Sequence, residues 1–283
     1  MQRLTAKISG YFTLIRPLNV LQGAVSAIIT AFIMEKLPPF RDILLAIFII
    51  GAFTAAGNSF NDYCDYKIDA INRPKRPIPS GKISRKEALV LTVVFFTSGW
   101  AVAMPLMSQT ILIILTIATI CLITYSLFLK STALVGNMIV ALILGLSFIF
   151  SAAVYGDIKR GFAPFTLAFL FTLIREIIKD MQDIKGDEKH GAKTFPIAFG
   201  QIKAARLVSF LSVLLIVIAV ALFLTGVYGF LYGIVVGITV VPVLIFTIIS
   251  INRDQSIKNC GKLSSLLKYD IFFGLLAICL GRF

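Results

Sequence analysis

The sequence predicts an all-α membrane protein that crosses the bilayer nine times. Three observations support this: 58% of the 283 residues are hydrophobic, long runs such as ILLAIFIIGAFTAAG carry no charge, and the runs are continuous rather than alternating. A continuous apolar run of about 18 residues suits a membrane-spanning helix, whereas a transmembrane barrel needs alternating segments. The predicted spans are residues 18–34, 43–61, 88–107, 110–129, 134–155, 162–178, 206–226, 229–250 and 265–281.

The opening residues, the cysteines and the histidine indicate no further structural feature. The opening residues 1–17 lack the long apolar stretch of a signal peptide, and we expect them to lead into the first span along the membrane interface. The four cysteines are far apart and form no pair motif, so they predict neither a disulfide framework nor a zinc site. The lone histidine, His190, is expected to be a solvated side chain.

The net charge of +13 is explained by membrane orientation. With the N-terminus in the cytoplasm, the cytoplasmic segments hold 22 of the 27 lysines and arginines, and the outside segments hold 5. An excess of positive charge in cytoplasmic segments is the usual pattern of membrane proteins. The count predicts the orientation, with Phe283 outside, and removes the need for a nucleic acid partner.

Two polar segments, residues 61–81 and 175–200, stand out because each carries three aspartates spaced three and four residues apart. Both follow an even-numbered span, so both are predicted to lie on the cytoplasmic side. The spacing places each triplet on one face of a helix. The first motif consists of Asp62, Asp65 and Asp69, and the second of Asp180, Asp183 and Asp187.

Six carboxylates at one membrane surface repel one another unless a cation neutralises them. Oxygen ligands without histidine or cysteine indicate Mg²⁺ or Ca²⁺ rather than zinc, and Mg²⁺ commonly shares its coordination with substrate phosphates. Basic residues accompany both motifs, as a phosphate ligand requires. They are Lys67, Arg73, Lys75 and Arg76 in the first segment and Lys179, Lys185, Lys189 and Lys193 in the second. The residues therefore predict Mg²⁺ and a bound diphosphate.

The stretches NDYCDYKID, INRPKRPIPSG and DMQDIKGDEKHGAKTFPIAFG, together with YSLFLK between spans four and five, resemble the UbiA superfamily of intramembrane prenyltransferases. The resemblance covers nearly the whole chain. It implies one domain over residues 1–283, with aspartate-rich halves at about 1–130 and 131–283. It further implies a helical bundle around a central cavity, with cytoplasmic cap loops and a sideways opening to lipid.

The resemblance also implies roles for individual residues. Asn61, Asp65, Asp183 and Asp187 are the expected direct metal ligands, and Tyr125 and Lys130 match positions near the reacting end of the substrate. The metal and diphosphate set comprises Asn61, Asp62, Asp65, Asp69, Asp180, Asp183 and Asp187. The expected catalytic set comprises Asp65, Asp183, Asp187, Tyr125 and Lys130, and the expected substrate contacts comprise Arg16, Asn19, Asn58, Lys67, Arg73, Arg76 and Lys189.

Within the superfamily, INRPKRPIPSG resembles both enzymes of archaeal ether-lipid synthesis and chlorophyll synthases, and the opening residues, which do not look like a transit peptide, favour the archaeal enzymes. This implies Mg²⁺-dependent transfer from geranylgeranyl diphosphate to the hydroxyl of geranylgeranylglyceryl phosphate, forming the second ether bond of archaeal membrane lipids. An aromatic or chlorin acceptor remains the alternative. An ion-coupled transporter is a third interpretation, although transport sites usually lie near the middle of the membrane and these aspartates lie at span ends. The oligomeric state is not predicted.

Overall fold

The computed structural model describes residues 2–189 and 191–282, except for the side chains of residues 2–6 and 72. His190 and Phe283, for which the sequence predicts a solvated side chain and an outside position, lie outside the described residues. Helices account for the regular structure throughout the described ranges, and no strand occurs in them. The all-α prediction is confirmed.

Twelve α-helices follow one another along the described chain. The first six are α1 (Gln2–Ile15), α2 (Pro17–Ile33), α3 (Phe40–Asn72), α4 (Arg85–Ala103), α5 (Gln109–Thr124) and α6 (Val135–Val154). The last six are α7 (Phe162–Lys189), α8 (Phe195–Phe199), α9 (Gln201–Leu224), α10 (Phe230–Val235), α11 (Val241–Arg253) and α12 (Ile257–Leu280). Short π-helical segments, Tyr125–Leu129 and Val236–Val240, extend α5 and join α10 to α11.

Within the described residues, eight helical segments are long and apolar enough to cross a membrane, and the bent pair α1–α2 makes a possible ninth. The two parts of that pair meet at an angle of 45°. The bend falls at Arg16, whose φ of 53° is left-handed and which directly precedes Pro17. Proline disfavours the right-handed helical conformation in the residue before it, so a continuous helix is unfavourable here. The count agrees with the nine predicted spans.

The largest difference from the predicted spans lies at the ends of α3 and α7. The second span is predicted to end at residue 61 and the sixth at residue 178, but the helices continue to Asn72 and Lys189. The aspartate motifs therefore lie on helical extensions rather than in the expected cap loops. The helix α3 ends just before Arg73 and Pro74, where proline again interrupts helical geometry.

The two larger of three hydrophobic clusters hold most of the bundle together. One is formed mainly by α3, α5 and α6, and the other mainly by α7, α9, α11 and α12, with contributions from α2 and α6. Many large apolar side chains remain exposed on the outer surface, including Leu18, Phe128 and Phe210. Such a surface suits contact with lipid chains rather than water.

Candidate active site

The carboxyl-terminal parts of α3 and α7 lie at the same end of the bundle, which we call the motif end. In the first motif, Asp62 is only 3% exposed and accepts hydrogen bonds from Arg16 (Nη2–Oδ1, 2.6 Å) and Arg76 (Nη1–Oδ1, 3.2 Å). Arg76 also donates to the buried Asp69 (Nη1–Oδ2, 2.6 Å). A buried carboxylate without a partner is costly, and these two guanidinium groups neutralise both aspartates.

These ion pairs bear on four of the predicted roles. Arg16 and Arg76 are predicted to contact substrate, and Asp62 and Asp69 to contribute to the metal site. In the structure, all four side chains already have partners of opposite charge within the first motif. They hold the end of α3, the bend after α1 and the following turn in one arrangement, and their roles toward a ligand stay predictions.

Asp65, the middle aspartate of the first motif, contacts the ammonium group of Lys130. Lys130 follows the π-helical turn Tyr125–Leu129, which closes with a hydrogen bond from the Lys130 amide to the Tyr125 carbonyl (3.2 Å). π-Helical turns are rare and often occur at functional sites. The structure therefore brings together a predicted metal ligand and a predicted basic residue.

A second feature of the first motif favours a metal ion. The side-chain oxygen of Asn61 is buried, and the described residues offer it no hydrogen-bond partner. Buried polar atoms without partners are uncommon, because each costs free energy. Asn61 lies one helical turn before Asp65, so a hard cation could use both oxygen-bearing side chains.

The described residues contain no group of three or more His, Cys, Asp or Glu side chains placed to hold a metal. Mg²⁺ does not require such a group, because it commonly binds one or two carboxylates, several waters and substrate phosphates. Asn61 and Asp65 on α3 thus fit Mg²⁺ that is shared with a diphosphate. The predicted ligands on α7 would supply further carboxylates.

The second motif lies on the last turns of α7. Asp180 accepts a hydrogen bond from the side-chain amide of Asn137 on α6 (Nδ2–Oδ2, 2.8 Å). Asp183 is exposed and Asp187 is half-buried. One turn earlier, Glu176 forms ion pairs with Arg175 and Lys179. The second motif thus offers an exposed carboxylate beside one that is fixed by a neighbouring helix.

The segment from Lys130 to Asn137, which leads from the π-helical turn into the first turn of α6, joins the two motifs. Lys130 at its start contacts Asp65 of the first motif, and Asn137 near its end binds Asp180 of the second. Between them, a Cβ atom on Gly136 would lie 2.6 Å from the carbonyl oxygen of Leu129, so glycine is needed for this close approach. The two motifs, far apart in the chain, are held by one short segment.

Tyr125 lies between the two halves. It interacts electrostatically with Glu176 and Asp180 on α7 and with Arg16 at the bend between α1 and α2. The placement of Tyr125 near the reacting end of a substrate stays a prediction, and it is compatible with the presence of charged groups from both halves in its neighbourhood.

A cavity inside the bundle reaches Asn19 and Thr54 on the side of the motif end. Asn19 lies at its entrance, and its floor includes Phe148, Tyr232 and Ile278. Most of the lining is apolar, with a few polar side chains such as Gln22, Thr54 and Thr172. The predicted central cavity is present, and its apolar walls suit a long hydrocarbon chain.

The remaining predicted substrate contacts form two groups in the structure. Asn58 donates to the Ile15 carbonyl (2.9 Å), and Asn19 approaches Asn58 at 3.5 Å, so both help to fix the bend after α1. Lys67, Arg73 and Lys189 are exposed around the motif end. These three lack ion-pair partners among the described residues and could face an anionic ligand.

Two residues of the site were not predicted from the sequence. Asn137 binds Asp180, and Gln22 faces the cavity with no hydrogen bond to the described residues. The available signal was weak: Asn137 is an isolated amide in an otherwise apolar predicted span, and Gln22 is a second amide three residues after Asn19. Polar residues inside membrane spans are rare and often functional, and that rule singles out both positions.

A helical membrane bundle with an apolar cavity inside and two acidic motifs at one end is the architecture of an intramembrane enzyme acting on a substrate with a long chain and an anionic head. The chain belongs to the UbiA prenyltransferase family, whose sequence model matches residues 24–272.

Similar proteins come from several archaea. The digeranylgeranylglyceryl phosphate synthase of Methanosphaera stadtmanae is 32% identical over 271 residues, covering 96% of this chain and 98% of the relative. That of Saccharolobus solfataricus is 34% identical over 278 residues, covering 97% of each chain.

Solved structures show the same fold. A structure of digeranylgeranylglyceryl phosphate synthase superposes with a TM-score of 0.83 at 28% identity, covering 99% of both chains. A UbiA homologue from Archaeoglobus fulgidus, bound to GPP and Mg²⁺, superposes with a TM-score of 0.73 at 20% identity, covering 95% of this chain and 99% of that one.

Proposed function

We propose that this protein transfers a geranylgeranyl group from geranylgeranyl diphosphate to the hydroxyl of geranylgeranylglyceryl phosphate, in a reaction that depends on Mg²⁺. The observation that carries the proposal is that one short segment holds both acidic motifs, through Lys130 and Asn137, at one end of a bundle that contains an apolar cavity. Archaeal relatives named for this synthase activity, similar over their full length, support the acceptor.

The donor would place its diphosphate at the motif end and its hydrocarbon chain in the cavity. Asn61, Asp65, Asp180, Asp183 and Asp187 would hold Mg²⁺, which when bound neutralises diphosphate charge and assists its departure. The exposed cations Lys67, Arg73 and Lys189 would add to that neutralisation, since they lie near the motifs without competing ion pairs.

The reaction exchanges one carbon–oxygen bond for another. The allylic C–O bond breaks and the diphosphate leaves with its electron pair, while the acceptor hydroxyl oxygen bonds to the allylic carbon. The hydroxyl proton passes to the departing diphosphate or to a carboxylate of the motif end. The apolar cavity excludes water, which would otherwise capture the positive allylic fragment.

The acceptor carries a phosphate of its own, and the proposed contacts for it are Arg16, Asn19 and Lys130. Arg16 and Lys130 both hold aspartates of the first motif, so an acceptor phosphate would join these ion pairs as a third member. Asn19 stands beside them at the cavity entrance and is exposed. This arrangement would bring the acceptor hydroxyl close to the allylic end of the donor.

Both halves of the chain would act as one domain, because each supplies one motif and the boundary near residue 130 falls within the connection that joins them. We propose further that the motif end faces the cytoplasm. The excess of lysine and arginine on that side supports this orientation.

The test is an acceptor panel with protein purified in lipid. Geranylgeranyl diphosphate would be supplied with geranylgeranylglyceryl phosphate, a prenyl-accepting aromatic acid or a chlorin, each with Mg²⁺ or with EDTA. We expect transfer to the glyceryl phosphate, lost in EDTA and restored by Mg²⁺. Preference for the aromatic or chlorin acceptor would overturn the acceptor assignment alone. Absence of diphosphate release with every acceptor would contradict the transferase function and favour a transporter.

A further inference from the structure

One wall of the cavity contains a glycine whose missing side chain leaves open space. The helix α12 lines the cavity with Ile271, Gly274, Leu275 and Ile278, which share one helical face. A Cβ atom on Gly274 would meet no other heavy atom within 4 Å. The empty volume beside Gly274 therefore belongs to the cavity rather than to helix packing.

A second glycine of the same cavity provides the contrast. Gly23 on α2 also lines the cavity, but a Cβ atom there would lie 2.6 Å from Cγ2 of Ile50 on α3. Gly23 is therefore explained by the close packing of two helices. Gly274 has no such explanation, although glycine inside a helix is less favourable than alanine.

Gly274 lies far along α12 from the motif end. Gly261 lies on the same helix, and a Cβ atom there would be 3.6 Å from the side chain of Gln182, which sits between Asp180 and Asp183 on α7. Gly274 follows Gly261 by thirteen residues, a rise of about 20 Å along the helix. Gly274 thus borders the deep part of the cavity, far from the predicted diphosphate position.

We propose that Gly274 determines how long a prenyl chain the cavity accepts from the donor. This inference rests on the proposed function, in which the donor chain lies in the cavity with its diphosphate at the motif end. The space beside Gly274 would receive the later isoprene units of a four-unit chain. A shorter chain would end before reaching this depth and would not need that space.

The physical basis is the steric limit of an apolar pocket. A pocket that has lost room for even one methylene discriminates by about 10- to 200-fold between substrates that fit and those that do not. A leucine at position 274 would occupy the open volume directly. The longest donors should then lose affinity while the shortest keep theirs.

The experiment compares wild type with Gly274→Leu and Gly274→Ala, using donors of four, three and two isoprene units. Affinity for each donor is measured in Mg²⁺ without acceptor, and kcat/KM is measured with one fixed acceptor. Gly237→Leu is the matched control, because its Cβ would also meet nothing within 4 Å but Gly237 does not line the cavity. Thermal unfolding verifies that each variant is folded.

We expect Gly274→Leu to lower the ratio of four-unit to two-unit kcat/KM by at least tenfold, with a smaller shift in the same direction for Gly274→Ala and none for Gly237→Leu. If Gly274→Leu does not fold, the graded shift of Gly274→Ala decides. An unchanged ratio, equal losses for all donors, or the same shift in Gly237→Leu would overturn the inference. Failure of the wild type to transfer any donor would instead contradict the proposed function, while the affinities measured without acceptor still test the role of Gly274.

Discussion

Asn137 donates a 2.8 Å hydrogen bond to Asp180, and this bond attaches the second aspartate motif to α6. Seven residues earlier in the chain, Lys130 contacts Asp65 of the first motif. The short segment from Lys130 to Asn137 therefore fixes one aspartate from each motif. The relative position of the two motifs depends on this segment rather than on either motif alone.

Replacing Asn137 with alanine should weaken donor use without unfolding the protein. A hydrogen bond to a charged group contributes about 1.5–3 kcal/mol, so we expect kcat/KM for the donor to fall by about 10- to 100-fold. Because Asn137 acts through Asp180, the double variant Asn137→Ala/Asp180→Ala should lose less than the product of the single losses. Steady-state kinetics and a double-mutant cycle measure both quantities.

Ser151→Ala is the control for this prediction, since Ser151 lies on the same helix and donates only to the Ser147 carbonyl. It should keep wild-type kinetics. Fully multiplicative losses in the double variant would show that Asn137 does not act by positioning Asp180.

The two arginines that form ion pairs with the first motif, Arg76 and Arg16, should differ in their effects on stability. Arg76 bonds both Asp62 and Asp69 and its side chain is 19% exposed, whereas Arg16 bonds only Asp62 and is 32% exposed. Removing one partner of a buried ion pair costs roughly 3–5 kcal/mol, and less where water reaches the pair. We expect Arg76→Ala to lower the unfolding temperature more than Arg16→Ala.

Thermal unfolding in detergent measures this order, and Lys75→Ala is the control because Lys75 is an exposed neighbour of Arg76 without an ion pair in the described structure. A larger loss for Arg16→Ala would mean that Asp69 does not depend on Arg76.

Membrane orientation gives a third prediction. In a cysteine-free background, single cysteines replacing Lys82, in the turn after the first motif, and Lys159, in the turn between α6 and α7, should react from opposite sides of sealed vesicles. The excess of positive charge predicts that position 82 reacts from the cytoplasmic side. A membrane-impermeant maleimide measures this. Labelling of both positions from one side would contradict the arrangement of spans.

Much of the fold could be predicted from the sequence because each span is a continuous apolar run. The ends of α3 and α7 could not, since hydropathy reports only the part of a helix that lies in the bilayer. The spacing of Asp62, Asp65 and Asp69 did indicate a helical face, and the structure places them on a helix. Periodicity therefore predicted what hydropathy missed.

The sequence did not predict which side chains form pairs with each other. Arg16 and Asp62 are 46 residues apart, and Asn137 and Asp180 are 43 apart. Such contacts depend on how helices pack, which no local pattern specifies. The sequence accordingly predicted charged residues near the motifs but not which of them neutralise each other, and it gave Asn137 no role.

The central claim is that both aspartate motifs form one site, and the most direct test compares Asp65→Ala, Asp183→Ala and the double variant. The measurement is Mg²⁺-dependent diphosphate release from geranylgeranyl diphosphate, with Asp157→Ala, in the turn between α6 and α7, as the control. If both motifs form one site, each single variant should lose at least about 100-fold in kcat/KM. Such a loss corresponds to several kcal/mol of charge stabilisation in the transition state. The double variant should be only slightly less active than the less active of the two single variants. Asp157→Ala should keep wild-type activity. Near-normal release by either single variant, with the protein folded, would contradict the claim.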